Sequence, residues 1–79
     1  MVVCGWQTVC ELGSGTGLLG LALAPHCAQV LLTDGSPHML ALLRANVDDD
    51  TRRFGGGGCA VQRLRWGHES DIAAAVASL

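Results

Sequence analysis

The sequence predicts an α/β fold, half of a doubly wound parallel sheet with the element order β-α-β-α-β-α. Two short apolar runs, residues 8–12 and 29–33, are typical of parallel strands that helices cover on both faces. A helical pattern follows each run, and a glycine-rich turn joins the first run to its helix. Because crossovers between parallel strands are right-handed, we expect the strands to lie side by side in the order 3-2-1.

The first strand, residues 8–12, carries the acid Glu11 near its end, and the turn Gly13–Gly17 follows directly. Glycine adopts backbone conformations that other residues avoid, and it lets a ligand approach the backbone without meeting a Cβ atom. The next helix is predicted from about residue 16 to residue 24, and its first N–H groups point toward that ligand. Pro25 is predicted to end this helix, because proline lacks the N–H donor that a helix needs.

The second strand, residues 29–33, leads into Asp34 and then into a strong signal for a helix start. Ser36 suits the N-cap, and Pro37 suits the first helical position. The second helix is predicted to extend to about residue 47, with one apolar stripe facing the sheet. That stripe consists of Leu40, Leu43 and Val47.

Residues 48–58 are predicted to form a loop, in which a charged, solvated cluster precedes the flexible tether Gly55–Gly58. The alternating pattern of residues 59–66 then predicts a third strand that ends at Trp66. The two predicted faces of this strand are Ala60, Gln62, Leu64 and Trp66 on one side, and Val61, Arg63 and Arg65 on the other. Two arginines on one face suit a strand at the edge of the sheet.

A last helix is predicted to begin at a cap formed by Ser70 or Asp71. Its apolar stripe consists of Ile72, Val76 and Leu79. In the strand order 3-2-1 the first strand is an uncovered edge, and an apolar open edge favours aggregation. We therefore expect residues 1–79 to be one partial domain, either a fragment or a chain that needs a partner.

Composition excludes several classes of protein. The chain has 79 residues, which is enough for one small domain, and 49% of them are hydrophobic. The net charge is −2 and lysine is absent, which argues against binding of nucleic acid. No apolar run approaches the roughly 20 residues of a membrane helix, and residues 1–7 lack the basic start of a signal peptide. We expect a cytoplasmic or nuclear protein.

The cysteines do not predict a metal site. Cys4, Cys10, Cys27 and Cys59 form no C-x-x-C pair, and no histidine lies at ligand spacing beside them. Without a secretory context, we expect reduced thiols that pack as small apolar residues.

The stretch Thr8–Gly20 resembles the first motif of the class I, seven-strand S-adenosylmethionine-dependent methyltransferases. In that family an acid at the end of the strand precedes Gly-x-Gly-x-Gly, and Glu11, Gly13, Gly15 and Gly17 stand at those positions. With Asp34 and the sequence Leu64-Arg65-Trp66-Gly67, the chain is most similar to the non-SET protein lysine methyltransferase branch. The resemblance extends over residues 8–67, the Rossmann-like, N-terminal cofactor half of such an enzyme.

The resemblance implies S-adenosylmethionine as the cofactor, and it implies a role for each of seven residues. The turn residues Gly13, Ser14, Gly15 and Gly17 would pack against the amino-acid and ribose portions. Glu11 would accept from the ammonium group, Asp34 would accept from both ribose hydroxyls, and Trp66 would contact the adenine.

Each of the three side chains also has a simpler interpretation. Glu11 could be a buried acid that caps the neighbouring helix. Asp34 could begin a turn with Gly35. Trp66 could belong to the core.

The implied function is S-adenosylmethionine-dependent protein lysine N-methylation, with a protein substrate bound by a longer form of the chain. In the resembled family, the acceptor site follows the fourth strand and contains an Asp/Glu-x-x-Tyr motif. Since residues 1–79 do not contain that part, no catalytic residue is assigned.

Two alternatives from other classes remain. Residues 15–20 match the dinucleotide-binding pattern G-x-G-x-x-G, and Asp34 follows Gly15 by 19 positions, near the spacing expected for NAD(P) or FAD sites. Against that reading, Gly13 already makes the turn, and Glu11 would repel a pyrophosphate. The third candidate is a non-catalytic remnant that pairs its open sheet edge with another chain.

Overall fold

The computed structural model describes residues 8–55 and 58–79, and it contains one parallel sheet of three strands. Residues 1–7 and part of the predicted glycine tether, residues 56–57, lie outside the described residues. The elements are β1 Thr8–Glu11, α1 Leu18–Leu23, a 3₁₀ turn Ala24–His26, β2 Gln29–Asp34, α2 Pro37–Phe54, β3 Cys59–Arg63 and α3 Glu69–Ser78. Their order and the parallel sheet confirm the predicted half of a doubly wound fold.

The strand β2 is central, with β1 on one side and β3 on the other, as the order 3-2-1 requires. The register pairs Cys10 of β1 with Leu31 of β2, and Leu31 with Ala60 of β3. Four consecutive β2 residues are at most 1% exposed: Val30, Leu31, Leu32 and Thr33. A strand that is paired on both sides and covered on both faces needs such a continuous apolar run.

Two clusters of buried side chains form the core, one on each face of the sheet. Alternate residues of β2 point to opposite faces, so neighbouring residues enter different clusters. Val30 and Leu32 pack with Leu43 and Val47 of α2, and residues of α1 complete this cluster. On the other face, Leu31 packs with Leu64 and with Ala75 of α3. The helices α1 and α2 therefore cover one face of the sheet, and α3 covers the other.

The first helix is shorter than predicted. It begins at Leu18, after Gly17 at its N-cap, and its α-helical part ends at Leu23. The chain continues as the 3₁₀ turn, which contains Pro25 near its start. A first-turn position tolerates proline because its N–H would have no partner there.

The second helix begins as predicted but ends seven residues later than predicted, at Phe54. The N-cap is Ser36, whose hydroxyl accepts a hydrogen bond of 3.4 Å from the backbone N–H of Met39. The prediction of a loop from residue 48 is wrong as far as residue 54.

Charge pairs explain the longer helix. Asp49 lies 3.0 Å from Arg53 and 3.7 Å from Arg52, at the i, i+4 and i, i+3 spacings that bring side chains together on a helix. Both arginines lie in the last turn, where the helix dipole favours positive charge. Gly55 then ends the helix with a φ of 71°.

The third strand ends at Arg63 rather than at Trp66, so the predicted strand is three residues too long. The backbone N–H of Leu64 still bonds to the carbonyl oxygen of Asp34, at 3.0 Å. The next N–H, of Arg65, donates instead to the carboxylate of Asp71, also at 3.0 Å. Because this acceptor is a side chain rather than a strand carbonyl, the backbone leaves the sheet after Leu64. The predicted alternation of faces therefore applies only as far as Arg63, and Trp66 lies outside the strand and is 78% exposed.

The cap and the apolar stripe predicted for the last helix are both wrong. The N-cap residue of α3 is His68, and the carboxylate of Asp71 binds Arg65 instead of capping the helix. The buried residue of α3 is Ala75, whereas the predicted stripe is exposed by 44% to 65%: Ile72, Val76 and Leu79. Asp71 and Ser78 contact β3 and its end, through Arg65 and Gln62, on the side of α3 that carries the buried Ala75.

Two further observations bear on the sequence predictions. Cys10, Cys27 and Cys59 are partly buried free thiols, and burial raises the pKa of Cys10 and of Cys59.

Among residues 8–55 and 58–79, no helix combines the length and the apolar content that crossing a bilayer requires.

Thr33 provides a test of how the strand ends are joined. Its side chain is fully buried, and its hydroxyl donates to the carbonyl oxygen of Glu11 at 2.7 Å. Because Thr33→Val removes this bond without changing side-chain size, we expect a loss of about 1 kcal/mol in the free energy of unfolding. Urea titration followed by circular dichroism measures it. Thr51→Val, at an exposed position of α2, is the matched control, and an equal loss in both variants would contradict the assignment.

Candidate functional site

The candidate site lies at the carboxyl ends of β1 and β2, where the glycine-rich turn packs against the second strand. The backbone N–H of Ser14 donates to the carbonyl oxygen of Thr33 at 2.7 Å. The next backbone N–H, that of Gly15, donates to the Oδ2 atom of Asp34 at 3.1 Å. These two bonds, and a third from the N–H of Thr33 to the hydroxyl of Ser14, fix the turn to the end of β2. Open α/β sheets bind ligands at this edge.

Three glycines of the turn have left-handed backbone conformations. The φ angles are 63° at Gly13, 57° at Gly15 and 81° at Gly17. A Cβ atom on Gly17 would lie 2.5 Å from Cδ1 of Leu43, so this glycine is required by packing as well as by conformation. A Cβ atom on Gly13 would have no neighbour within 4 Å. The backbone is therefore accessible at Gly13 and tightly packed at Gly17.

The side chain of Ser14 connects the two strands. Its hydroxyl donates to the carbonyl oxygen of Glu11 at 3.3 Å and accepts from the N–H of Thr33 at 3.1 Å. Both contacts are structural, so Ser14 shapes the turn through its side chain. Its contact with a cofactor stays a prediction.

Asp34 forms the turn that the simpler interpretation expects. Its Oδ1 accepts from the N–H of Ser36 at 3.0 Å, while its Oδ2 accepts from the N–H of Gly15. These two hydrogen bonds, first that from Ser36 and then that from Gly15, lower the pKa of the Asp34 carboxyl. Each carboxylate oxygen can accept a second hydrogen bond. The contact with ribose hydroxyls therefore stays a prediction that this geometry permits.

Glu11 has a buried carboxylate oxygen that accepts no hydrogen bond from the described residues. This atom, Oε1, lies beside α1, where a Cβ atom added to Gly20 would be 3.3 Å away. The helix-capping interpretation requires a backbone donor to this oxygen, and the described residues provide none. A buried oxygen without a donor is unfavourable, so a ligand that brings an N–H group would satisfy it.

Trp66 lies in the turn between β3 and α3 and is 78% exposed, which excludes the core interpretation. The neighbouring Leu64 is tied to Asp34 through its backbone N–H, so the tryptophan follows a segment attached to the same sheet edge. Its contact with adenine stays a prediction.

The residues at this edge fit S-adenosylmethionine. The orphan oxygen of Glu11 suits an ammonium donor, and the remaining lone pairs of Asp34 suit hydroxyl donors. The bare backbone at Gly13 leaves room for a ligand. The carboxylate of Glu11, at the end of β1, would repel a pyrophosphate, which disfavours a dinucleotide.

Two contributors were missed by the sequence reasoning. A Cβ atom on Gly20 would collide with Cδ2 of Leu32, so this glycine lets α1 lie close to β2 and to Glu11. A glycine inside a helix, three positions after Gly17, was the available signal. Asp71 was predicted only as a possible helix cap, and its contact with Arg65 depends on the tertiary fold.

Comparison with known proteins finds one matching family model and several similar proteins. A family model described as lysine methyltransferase matches residues 4–77. The chain is 37% identical over 62 residues to calmodulin-lysine N-methyltransferase of Arabidopsis thaliana, covering 76% of this chain and 20% of that protein. It is 39% identical over 66 residues to protein N-lysine methyltransferase METTL21A of Danio rerio, covering 84% and 30%. For the protein of the same name from Xenopus tropicalis, the identity is 42% over 61 residues, covering 77% and 28%. The chain thus spans 20% to 30% of the length of these relatives.

The two glycines at the ends of the turn should respond differently to substitution. Gly13→Ala and Gly17→Ala both place a Cβ in a left-handed conformation, which costs about 1–2 kcal/mol. Gly17→Ala also overpacks the core at Leu43, so we expect it to destabilise the protein by about 1–3 kcal/mol more than Gly13→Ala. Urea unfolding of the two variants measures the difference. Equal losses would show that Leu43 does not limit the space at Gly17.

Asp34 should contribute to acid denaturation. Its pKa is lower in the folded protein than in the unfolded chain, so its contribution to stability is complete above about pH 4–5 and is lost as the pH falls through the folded value. We expect Asp34→Asn to be less stable than wild type near pH 7 and to lose less stability between about pH 6 and pH 3.

Urea unfolding across this pH range measures both slopes. Asp48→Asn, at an exposed position of α2, is the control and should keep the wild-type slope. Parallel curves for wild type and Asp34→Asn would refute the role of Asp34.

Proposed function

Because the chain belongs to the lysine methyltransferase family, we propose that residues 1–79 form the cofactor-binding part of an S-adenosylmethionine-dependent protein lysine N-methyltransferase. The observation that carries this proposal is the unpartnered carboxylate oxygen of Glu11. It lies at the end of β1, directly before a glycine turn that Asp34 holds in place. This arrangement offers an acceptor for an ammonium group beside accessible backbone.

In the proposed complex each residue has one task. Glu11 accepts from the ammonium group through its carboxylate, whose Oε1 atom receives no hydrogen bond from the described residues. Asp34 accepts from the ribose hydroxyls with the lone pairs that Gly15 and Ser36 leave free. The exposed indole of Trp66 contacts the adenine. Gly13, Gly15 and Gly17 give the turn its shape, and Ser14 fixes that shape to β2.

S-adenosylmethionine supplies a methyl group on a sulfonium, which a lysine amine can attack. The chain orients the reactive group by holding both ends of the molecule, through Glu11 and Trp66, and positioning of this kind lowers the barrier. The amine must be neutral to attack. No catalytic residue is assigned among residues 1–79, and we place the acceptor site and the contacts with a protein substrate in a longer form of the chain.

We propose a cytoplasmic or nuclear location, because these compartments keep thiols such as those of Cys10, Cys27 and Cys59 reduced. The acidic balance and the absence of lysine support protein rather than nucleic acid as the partner.

A second candidate function is association through the open sheet edge. Within the described residues β1 pairs only with β2, so its other side presents unpaired backbone groups. A chain that acts in this way would self-associate without responding to a cofactor.

Removing the charge of Glu11 distinguishes an effect on ligand binding from an effect on folding. Glu11→Gln keeps the shape of the side chain and removes a buried charge that lacks a donor. We therefore expect unchanged or higher stability, together with a loss of about 10-fold or more in affinity for S-adenosylhomocysteine. Calorimetric titration measures the affinity, and urea unfolding measures the stability.

Glu69→Gln changes the chain's other glutamate, which is exposed, and it should leave the affinity near the wild-type value. NAD⁺ is the control ligand. Saturable binding of NAD⁺ alone would support the dinucleotide alternative, and a folded, self-associating chain that binds neither ligand would support association through β1.

A further inference from the structure

Arg65 and Asp71 form a three-bond clamp between the end of β3 and the start of α3. The Oδ2 atom of Asp71 accepts from the backbone N–H of Arg65 at 3.0 Å and from its Nε at 2.7 Å. The Oδ1 atom accepts from Nη2 at 3.0 Å. The two side chains are 36% and 13% exposed, respectively. A planar guanidinium that binds both oxygens of a carboxylate restricts orientation as well as distance.

The clamp acts on a segment that is otherwise attached at few points. The N–H of Leu64 bonds to the carbonyl oxygen of Asp34, and the N–H of His68 bonds to the carbonyl oxygen of Arg65 at 3.1 Å. Gly67 then reverses the chain with a φ of 83°. Between these anchors the indole of Trp66 is exposed and has little packing of its own. The position of Trp66 is therefore set by the residues on either side of it in the chain. Of these, Arg65 is held in place by the side chain of Asp71.

We propose that Asp71, acting through Arg65, is a positioning residue that fixes the Trp66 indole for contact with the adenine. This inference rests on the proposed function, since it assigns the adenine to Trp66. Holding the backbone of Arg65 at the sheet edge limits where the Trp66 ring can lie, so less conformational freedom is lost when a ligand binds and affinity rises without a new contact. The first turn of α3 thereby influences a site to which it contributes no ligand contact.

Glu69 distinguishes positioning from a general effect of charge. Both Glu69 and Asp71 lie in the first turn of α3, where negative charge stabilises a helix. Glu69 is exposed, whereas the side-chain hydrogen bonds of Arg65 go to Asp71. Neutralising either acid removes one charge from the same turn, but only the change at Asp71 breaks the clamp.

The test compares Asp71→Asn with Glu69→Gln in the purified 79-residue chain. Fluorescence anisotropy reports the mobility of Trp66 in a Trp6→Phe background, which leaves Trp66 as the single tryptophan. Calorimetry gives the affinity for S-adenosylhomocysteine, and circular dichroism shows whether each variant is folded. We expect Asp71→Asn to lower the anisotropy without ligand and to weaken binding by about 10-fold, and we expect Glu69→Gln to do neither.

Several outcomes would overturn the inference. A folded Asp71→Asn variant with wild-type anisotropy and affinity would do so, and so would equal effects of Glu69→Gln. If Asp71→Asn is unfolded, Arg65→Lys replaces it in the test, because this variant keeps the positive charge and the backbone bond to Asp71 but loses the planar guanidinium. Unchanged anisotropy of Trp66 in Arg65→Lys would also overturn the inference. A folded wild-type chain that does not bind S-adenosylhomocysteine refutes the proposed function instead, and the anisotropy comparison still tests the clamp.

Discussion

The hydrogen bond from the N–H of Gly15 to the carboxylate of Asp34 joins two residues that are 19 positions apart in the chain. This bond fixes the position of the glycine turn at the edge of the sheet, because Asp34 is the last residue of the central strand. Ser14 and Thr33 support the same junction through a backbone bond of 2.7 Å. The shape of the candidate site therefore depends on Asp34, whose carboxylate holds the turn in place before any ligand binds.

Asp34 and Glu11 are the last residues of β2 and β1, but their surroundings differ. Asp34 accepts two backbone hydrogen bonds, and its pKa is lowered accordingly. Glu11 has a buried oxygen for which the described residues provide no donor. A protein optimised for stability alone would satisfy or replace that group, since an unpaired buried oxygen destabilises the folded state. The difference shows that Asp34 contributes to the hydrogen bonding that shapes the turn, whereas Oε1 of Glu11 receives no hydrogen bond from the described residues.

The parts of the fold that were predicted from the sequence depend on short-range patterns. The apolar run of β2, the glycine turn and the Ser36–Pro37 helix start are each local, and the structure contains all three. The late end of α2 was missed because Asp49 pairs with arginines in a segment that has no apolar pattern. The early end of β3 and the orientation of α3 were missed because both involve tertiary contacts, such as the bond between Arg65 and Asp71, that form only when strand and helix are in place.

The same limit applies to the site. Composition and motif indicate which residues lie at the sheet edge, because parallel strands bring their carboxyl ends together. They do not indicate how the hydrogen bonds are divided among those residues, since that depends on distances of a few tenths of an ångström. Gly20 illustrates the point: any side chain there would collide with Leu32, so this glycine lets α1 lie against the strand and close over the carboxylate of Glu11. The packing of α1 against β2 thus accompanies the burial of the Glu11 oxygen, which the local sequence pattern alone does not predict.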